Sequence, residues 1–258
     1  MESITLVSGY EMPLLGLGTW DLRGNTCKNI VKKALDLGYT HIDTAWMYEN
    51  QRMIGGALQE INANREELFI TSKIWHTHLK YNDVLAQFEE SLDQLQMDYV
   101  DLLLVHWPNE SVPMEETLKA FNEIHAAGQA RSIGISNFSM NQVDRALAIS
   151  QAPICVNQVE YHIRHNQDAL LQHCKDKQVV VTAHRPLGVG RIIGDPLLKE
   201  IGAQHSKTPA LVALRWLVQK GIVVIPKTSS EAHLRENMDV FDWTLTSDDM
   251  GRLDAISG

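Results

Sequence analysis

Ionisable and polar residues recur where short apolar runs of this chain end. Asp43 lies near the end of THIDT, Lys73 near the end of LFITSKI, and His106 ends VDLLLVH. The later runs are followed or ended by Ser136 and Asn137, Gln158, His184 and Lys227. Because a buried strand is normally apolar throughout, this repeated placement indicates that the strand ends share a function.

Tyr48 lies five residues after Asp43 and suggests what that function could be. A phenol has a pKa near ~10 and is a poor acid at neutral pH. The ammonium of Lys73, held by Asp43, is expected to lower that pKa, and His106 is expected to orient a substrate carbonyl. This set predicts a general acid directed at a carbonyl oxygen, with the hydride supplied by a nicotinamide cofactor. Taken singly, each of these residues is more often structural.

Eight strand candidates alternate with amphipathic stretches. The strands are LLGLGT, THIDT, LFITSKI, VDLLLVH, RSIGIS, ICVNQVE, VVVTAH and IVVIP, after a hairpin over ITLVSGYEMP with its turn at Ser8-Gly9. Seven helical patterns fall in the ranges 25–38, 50–63, 82–96, 114–128, 140–150, 168–177 and 209–221, and three of them end at Gly38, Gly128 and Gly221, as helix stops do.

Eight such units in 258 residues predict an α/β fold, a (β/α)8 TIM barrel with an N-terminal β-hairpin, as a single domain over 1–258. A doubly wound sheet is the second choice, and it lacks a GxGxxG loop after the first strand. In a barrel, the carboxyl ends of all strands meet at one mouth, where the chemistry takes place.

The net charge, the cysteines and the apolar runs limit the classes of function that this chain can have. The net charge of −9 disfavours nucleic acid and anionic membranes as partners. The three cysteines form no CxxC pair, so neither a disulfide framework nor a zinc site is expected. No metal is predicted, and the two close histidine pairs, His76 with His78 and His162 with His165, are expected to be solvated. Without a secretory pattern or an apolar run of ~20 residues, we expect a cytoplasmic monomer.

The chain resembles the aldo-keto reductases along nearly its whole length, with the bacterial diketogluconate and methylglyoxal reductases as the nearest type. The matching motifs are GLGTW, HIDTAWMYEN, ITSKIW, LLLVHWP, IGISNF, NQVEYH and VIPKTSS, in family order and spacing. The resemblance implies a (β/α)8 barrel that reduces aldehydes or ketones with NADPH. It also implies a catalytic tetrad of Asp43, Tyr48, Lys73 and His106, with Tyr48 as proton donor.

The resemblance further implies a cofactor site. Ser136, Asn137 and Gln158 match residues that hold the nicotinamide carboxamide. Lys227 and Thr228 match the pair at the 2′-phosphate, while Glu236 and Asn237 match the pair around the adenine. The other expected cofactor contacts are Gly18, Thr19, Trp20, His184, Leu187, Gly188, Pro226, Ser229 and His233. Trp20, Trp46, Trp75 and Trp107 are expected to wall the substrate pocket, whereas Trp216 and Trp243 are expected in the core.

Two positions depart from the family pattern. His184 replaces the usual Tyr that stacks on the nicotinamide, and a protonated imidazole there would weaken NADP⁺ binding relative to NADPH at low pH. His233 replaces the Arg usual in NADPH-preferring members, so NADPH stays the first choice and NADH is possible.

The segment WPNESVP after His106 is short, and no long loop follows LTSDDMGRLDAISG. This predicts an open pocket that accepts small dicarbonyls, aromatic aldehydes or keto-sugar acids. One alternative is a nicotinamide-binding sensor barrel with little turnover. Another is a barrel hydrolase or isomerase using Asp43 and His106, which leaves Lys227 and Ser136-Asn137 unexplained.

Overall fold

A computed structural model describes residues 2–256, and its centre is a parallel eight-stranded sheet. The strands follow one another in sheet order as β3 (Leu17–Gly18), β4 (His41–Asp43), β5 (Phe69–Ile74), β6 (Val100–Val105), β7 (Ala130–Ser136), β8 (Ile154–Glu160), β9 (Val180–His184) and β10 (Val223–Val224).

The sheet closes into a barrel between its first and last strands. Leu15 bridges Val224 and Gly18 bridges Lys227, both in parallel. The Gly16 N–H donates to the Val224 carbonyl at 2.8 Å, and the Val224 N–H donates to the Leu14 carbonyl at 2.8 Å. The predicted (β/α)8 barrel is therefore confirmed. The single-domain prediction covers 1–258, and residues 1, 257 and 258 lie outside the described residues.

The predicted hairpin is also present, as β1 (Ser3–Thr5) and β2 (Glu11–Pro13) in antiparallel register. Its turn runs from Leu6 to Gly9, whose N–H donates to the Leu6 carbonyl at 2.8 Å. Gly9 has a φ of +87°, a conformation that side chains with a Cβ rarely adopt. The Ser8 hydroxyl lies 2.7 Å from that of Ser132, which places the hairpin at the amino-terminal end of the barrel.

Within residues 2–256, ten α-helices surround the barrel. They are α1 (Gly24–Asp36), α2 (Gln51–Glu60), α3 (Tyr81–Leu95), α4 (Met114–Ala126), α5 (Met140–Ile149), α6 (Asp168–Asp176), α7 (Pro196–His205), α8 (Pro209–Gln219), α9 (Glu231–Met238) and α10 (Ser247–Asp254). Gly38, Gly128 and Gly221 follow α1, α4 and α8 with positive φ. At α1 the Tyr39 N–H returns to the Ala34 carbonyl at 3.0 Å, the bond that closes a Schellman motif.

The core lies inside the barrel and between the barrel and its helices. Every residue of β5 and β6 is buried, which explains their nearly continuous apolar sequences. Trp216 is fully buried, as predicted, and Trp243 packs against the core while partly buried.

The secondary structure differs from the sequence prediction in two ways. The seven helical patterns omit α7, α9 and α10, whose polar residues weaken the apolar period. The first and last barrel strands have two residues each. Pro226, which has no N–H to donate, ends the regular pairing of the last strand. Among the described residues, none of the helices has the length and apolarity that a bilayer crossing requires.

Candidate active site

Three neighbouring strands bring the predicted tetrad together at the carboxyl end of the barrel. Asp43 ends β4, Lys73 lies in β5 and His106 directly follows β6. The Lys73 ammonium donates to Asp43 Oδ1 at 2.6 Å and to the Thr44 carbonyl at 2.9 Å, and it lies 3.4 Å from Tyr48 Oη. Lys73 and Asp43 are 0% and 1% exposed, so this ion pair is removed from water.

Tyr48 is brought to Lys73 by a single 3₁₀ turn, Trp46–Tyr48, that follows β4. Burial alone would lower the pKa of Lys73, but the Asp43 carboxylate more than offsets this, so the pKa is raised and the side chain is an ammonium. Burial raises the pKa of Tyr48 by more than Lys73 lowers it. Lys73 thus lowers the pKa of Tyr48 as expected, but the loss of hydration dominates, so the pKa of the resting phenol lies above its ordinary value.

His106 completes the tetrad as a neutral imidazole. Its ring centroid lies 5.6 Å from that of Tyr48 and 5.0 Å from that of Trp75. Burial, followed by the charge of Lys73, lowers the pKa of His106 to about 2. Nδ1 is buried without a hydrogen-bond partner among the described residues.

Ser136, Asn137 and Gln158 lie beside the tetrad at the ends of β7 and β8. The Ser136 hydroxyl donates to the Gln158 carbonyl at 2.7 Å, and the Asn137 side-chain amide donates to the His106 carbonyl at 2.9 Å. Gln158 Nε2 donates to Asp43 Oδ2 at 2.7 Å. Asn137 and Gln158 are thus bonded directly to tetrad residues, and Ser136 is connected to them through Gln158.

His184 ends β9 and contacts Asn137. Asn137 uses its amide N–H groups as donors, so its Oδ1 accepts from His184 Nε2–H at 2.9 Å. Burial lowers the pKa of His184 to about 3. The imidazole is therefore neutral in mildly acidic solution, and the expected charge effect on NADP⁺ binding is wrong in that range.

The remaining predicted cofactor residues surround the tetrad on three loops. Gly18 and Thr19 lie at the barrel seam, where Gly18 N–H donates to the Pro226 carbonyl at 3.2 Å and Thr19 Oγ1 donates to the Asp43 carbonyl at 2.9 Å. Leu187 and Gly188 follow β9 in a turn that leads into a short 3₁₀ helix.

Lys227, Thr228 and Ser229 lead from β10 towards α9. Lys227 is exposed and forms no ion pair with the described residues. The Ser230 side chain does not cap α9, so the first-turn N–H groups of that helix keep their capacity to donate. His233 is exposed, with Nδ1 3.4 Å from Thr228 Oγ1.

Glu236 and Asn237, predicted around the adenine, make contacts with the protein itself. The Thr208 hydroxyl donates to the Glu236 carboxylate. Asn237 is buried in the same helix, whose Leu234 carbonyl accepts from the Tyr39 hydroxyl at 3.0 Å. The Glu236 contact and the Tyr39 bond hold α9 against its neighbours.

The four tryptophans predicted to wall the pocket differ in position. Trp20 and Trp75 flank the tetrad, with the Trp20 ring centroid 5.0 Å from that of Tyr48. Trp107 is 44% exposed. Trp46 donates its indole N–H to Glu90 of α3 at 2.7 Å, which directs that end of the ring to α3.

Sequence reasoning missed several supporting residues. Thr44 Oγ1 donates to Asn50 Oδ1 at 2.8 Å, and Asn50 Nδ2 donates to the Thr19 carbonyl at 2.8 Å, which ties the loops around Tyr48 together. Arg185 pairs with Glu160 at 3.1 Å, and its charge lowers the pKa of Tyr48. Thr44 and Asn50 stand in the motif around Asp43, so their positions were a usable signal.

The predicted solvation of the histidine pairs is wrong at His162. It is buried, and its ring lies 3.3 Å from the Glu160 carboxylate. In the part of the chain that the structure describes, no three His, Cys, Asp or Glu side chains converge as metal ligands would.

The donors and acceptors at this mouth fit a nicotinamide nucleotide. Gln158 Nε2 is engaged with Asp43, so Gln158 Oε1 is left to accept a hydrogen bond from an amide such as the nicotinamide carboxamide. At the seam, the Lys227 cation and the uncapped N-terminus of α9 suit a phosphate.

The chain matches the model of the aldo/keto reductase family over residues 14–257. It is 39% identical to the glyoxal reductase of Bacillus subtilis, over 99% of this chain and 93% of that protein. It is 37% identical to the 9,11-endoperoxide prostaglandin H2 reductase of Trypanosoma cruzi, over 98% and 91%. A solved structure provisionally described as a 2,5-diketo-D-gluconic acid reductase B superimposes with a TM-score of 0.96 at 40% identity, covering 100% and 92%. The chain belongs to the aldo/keto reductase family of oxidoreductases.

Proposed function

We propose that this protein reduces aldehydes and ketones to alcohols with NADPH, and that Tyr48 donates the proton. The observation that carries the proposal is the buried contact of Lys73 with both Asp43 and Tyr48. A nicotinamide cofactor bound at the mouth supplies the hydride. Ser136, Asn137 and Gln158 would hold its carboxamide, and Lys227 with Thr228 would hold its 2′-phosphate.

Tyr48 acts as an acid because of where its hydroxyl lies. At rest it is a neutral phenol, since burial disfavours the phenolate. As the carbonyl oxygen gains negative charge, the proton moves from Tyr48 Oη to that oxygen. The Lys73 ammonium then faces the phenolate at close range in a site that excludes water, where a charge interaction is strong. Asp43 keeps Lys73 charged and in place.

His106 orients the substrate. Because its pKa is about 2, it is neutral and can donate one N–H to the carbonyl oxygen without adding a charge. Trp20 and Trp75 flank Tyr48 and His106 with apolar surface, which suits a small carbonyl compound.

Small dicarbonyls are the preferred substrate class, with aromatic aldehydes and keto-sugar acids next. The support is similarity to a glyoxal reductase and to a protein described as a diketogluconate reductase. We also propose a cytoplasmic location and a monomer; a monomer suffices because all four tetrad residues come from one chain.

The test is oxidation of NADPH and NADH at 340 nm with glyoxal, methylglyoxal, 4-nitrobenzaldehyde and a keto-sugar acid. We expect turnover with at least one dicarbonyl, faster with NADPH because Lys227 would pair with the 2′-phosphate. A matched His233→Arg variant should widen the preference for NADPH. Tight NADPH binding without turnover on any carbonyl would contradict the proposal and support the sensor alternative.

A further inference from the structure

The carboxylate of Asp43 is held on both of its oxygens. Oδ1 accepts from Lys73 at 2.6 Å, and Oδ2 accepts from Gln158 Nε2 at 2.7 Å. All three side chains are at most 2% exposed. In the sheet order, β4 and β8 are four strands apart in a ring of eight, so the bond between Asp43 and Gln158 crosses the barrel.

This contact fixes the orientation of the Gln158 amide. An ionised carboxylate only accepts hydrogen bonds, so the NH₂ group of Gln158 must face Asp43 and Oε1 must face away. The Gln158 backbone is held as well, because its carbonyl accepts from Ser136 Oγ at 2.7 Å and from the Asn137 N–H at 2.9 Å. The Gln158 amide therefore contacts Asp43 through Nε2 and presents Oε1 as a hydrogen-bond acceptor.

We propose that Gln158 is a positioning residue for Lys73, which acts by holding Asp43 and thereby connects the nicotinamide carboxamide site to the proton donor. The inference rests on the proposed function, in which Gln158 is a cofactor contact alone. Here the same amide also keeps Asp43 Oδ1 directed at Lys73.

Loss of the Gln158 bond should have two consequences that act in the same direction. Asp43 would be free to rotate, which would loosen the contact between Lys73 and Tyr48. The negative charge of Asp43 would also be less neutralised by hydrogen bonding. Both changes disfavour the Tyr48 phenolate, and so both raise the pH at which the proton donor loses its proton.

Few other groups near this cluster titrate in the range of interest. His41 on β4, His106 after β6 and His184 on β9 have pKa values lowered by burial to about 4, about 2 and about 3. The guanidinium of Arg185, which follows β9, is paired with Glu160. Near neutral pH and above, a shift in the profile of proton donation can be assigned to the cluster of Tyr48, Lys73 and Asp43.

The test compares Gln158→Met with Ser136→Ala, since both remove a predicted carboxamide contact and only the first removes a bond to Asp43. In Ser136→Ala the Asn137 N–H still holds the Gln158 carbonyl. The first readout needs no cofactor. It is the ¹⁵N resonance of the Lys73 ammonium in lysine-labelled protein, assigned by its loss in Lys73→Met. The second is the rate of hydride transfer in a single turnover at saturating NADPH, measured across pH.

We expect Gln158→Met to shift or broaden the Lys73 resonance and Ser136→Ala to leave it unchanged. Gln158→Met should also slow hydride transfer by about tenfold, the size of effect expected when one hydrogen bond to a charged group is lost. The alkaline limb of its pH profile should move to higher pH.

Gln158→Glu provides a second test of the inference if the Met variant folds poorly. When protonated, the new carboxyl can donate to Asp43 as the amide does; when ionised, it repels Asp43. We therefore expect a Lys73 resonance like that of the wild type in acid, which changes as the new carboxyl ionises.

The inference is overturned if Gln158→Met weakens NADPH binding like Ser136→Ala while the Lys73 resonance and the pH profile match the wild type. A Gln158→Glu variant whose Lys73 resonance stays constant with pH would also overturn it. A wild-type protein without carbonyl turnover would contradict the proposed function, while the resonance comparison would still decide this inference.

Discussion

The two ends of the barrel each combine a buried Asp, a cation and a Tyr, and they use them differently. At the carboxyl end, Asp43 holds a single ammonium, that of Lys73, which reaches the Tyr48 hydroxyl at 3.4 Å. At the amino-terminal end, Asp101 holds two guanidinium groups, Arg65 at 2.7 Å and Arg131 at 3.0 Å.

Tyr99 lies between these two arginines. Their guanidinium carbons stand 3.9 Å and 4.2 Å from its ring centroid, while its hydroxyl is buried without a hydrogen-bond partner among the described residues. Asp101 also accepts from the Ile70 N–H at 2.8 Å, which connects β5, β6 and β7. A groove of about 560 Å³ lined by Tyr10, Tyr99 and Arg131 opens on this side, far from the tetrad.

Because the two ends use similar residue types, their difference depends on where the cation lies relative to the Tyr side chain. A cation facing the phenol oxygen stabilises a phenolate, whereas cations over the ring faces stabilise packing. Lys73 is fully buried, while Arg65 and Arg131 keep 21% and 29% of their side chains exposed. The first arrangement suits the proton transfer proposed above, and the second stabilises the amino-terminal end of the barrel.

The largest expected effect comes from Tyr48→Phe. It removes the proposed proton donor and should lower kcat by ~10²–10⁴-fold, the range for general acid catalysis. The affinity for NADPH, measured by fluorescence quenching, should stay close to that of the wild type. Retention of more than a tenth of the wild-type kcat would show that another group donates the proton.

Lys73→Met should reduce both activity and stability, because it leaves Asp43 charged and unpaired in a buried site. A loss of about 3–5 kcal/mol in the free energy of unfolding is expected for a broken buried pair. Urea denaturation measures this loss. Adding Asp43→Leu should restore much of the stability and none of the activity, and a double variant as unstable as Lys73→Met would contradict this account.

Asp101→Asn tests the other end of the barrel. It should cost about 2–4 kcal/mol of stability, less than a fully buried pair because both arginines are partly hydrated. Its kcat and KM should match the wild type at temperatures where it is folded. An equal loss of activity in Asp101→Asn and Tyr48→Phe would remove the distinction between the two ends.

Much of this comparison was predictable from the sequence, and the rest depends on three-dimensional burial. The spacing of Asp43, Tyr48, Lys73 and His106 after successive strands placed them at one mouth. The direction of the Tyr48 pKa shift was not predictable, since it depends on how completely the fold excludes water. The Asp43–Gln158 bond was missed because it joins strands on opposite sides of the barrel.

Acid pH should lower stability through the buried histidines. His41 has no exposed surface, and burial lowers its pKa to about 4. Below the ordinary pKa of about 6.5, His41 is protonated in the unfolded chain and stays neutral in the folded chain. Stability present above that pH is then lost at about 1.4 kcal/mol per pH unit down to about pH 4. Urea melts of wild type and His41→Asn at several pH values should show a shallower slope for the variant; equal slopes would contradict the assignment.

The smallest effect is expected from Tyr99→Phe, the counterpart of Tyr48→Phe. Because the Tyr99 hydroxyl is buried without a partner among the described residues, its removal should leave activity unchanged and raise stability by about 1 kcal/mol. A destabilised variant would indicate that this hydroxyl has a partner in solution.

The three cysteines, Cys27, Cys155 and Cys174, are all fully buried, and burial raises the pKa of each thiol. Dicarbonyls of the kind proposed as substrates are electrophiles that modify thiolates and free amines. Here the thiols stay protonated and inaccessible, and Lys73 stays an ammonium that cannot condense with a carbonyl. The fold thus protects these cysteines and Lys73 from alkylation by the compounds that the protein is proposed to consume.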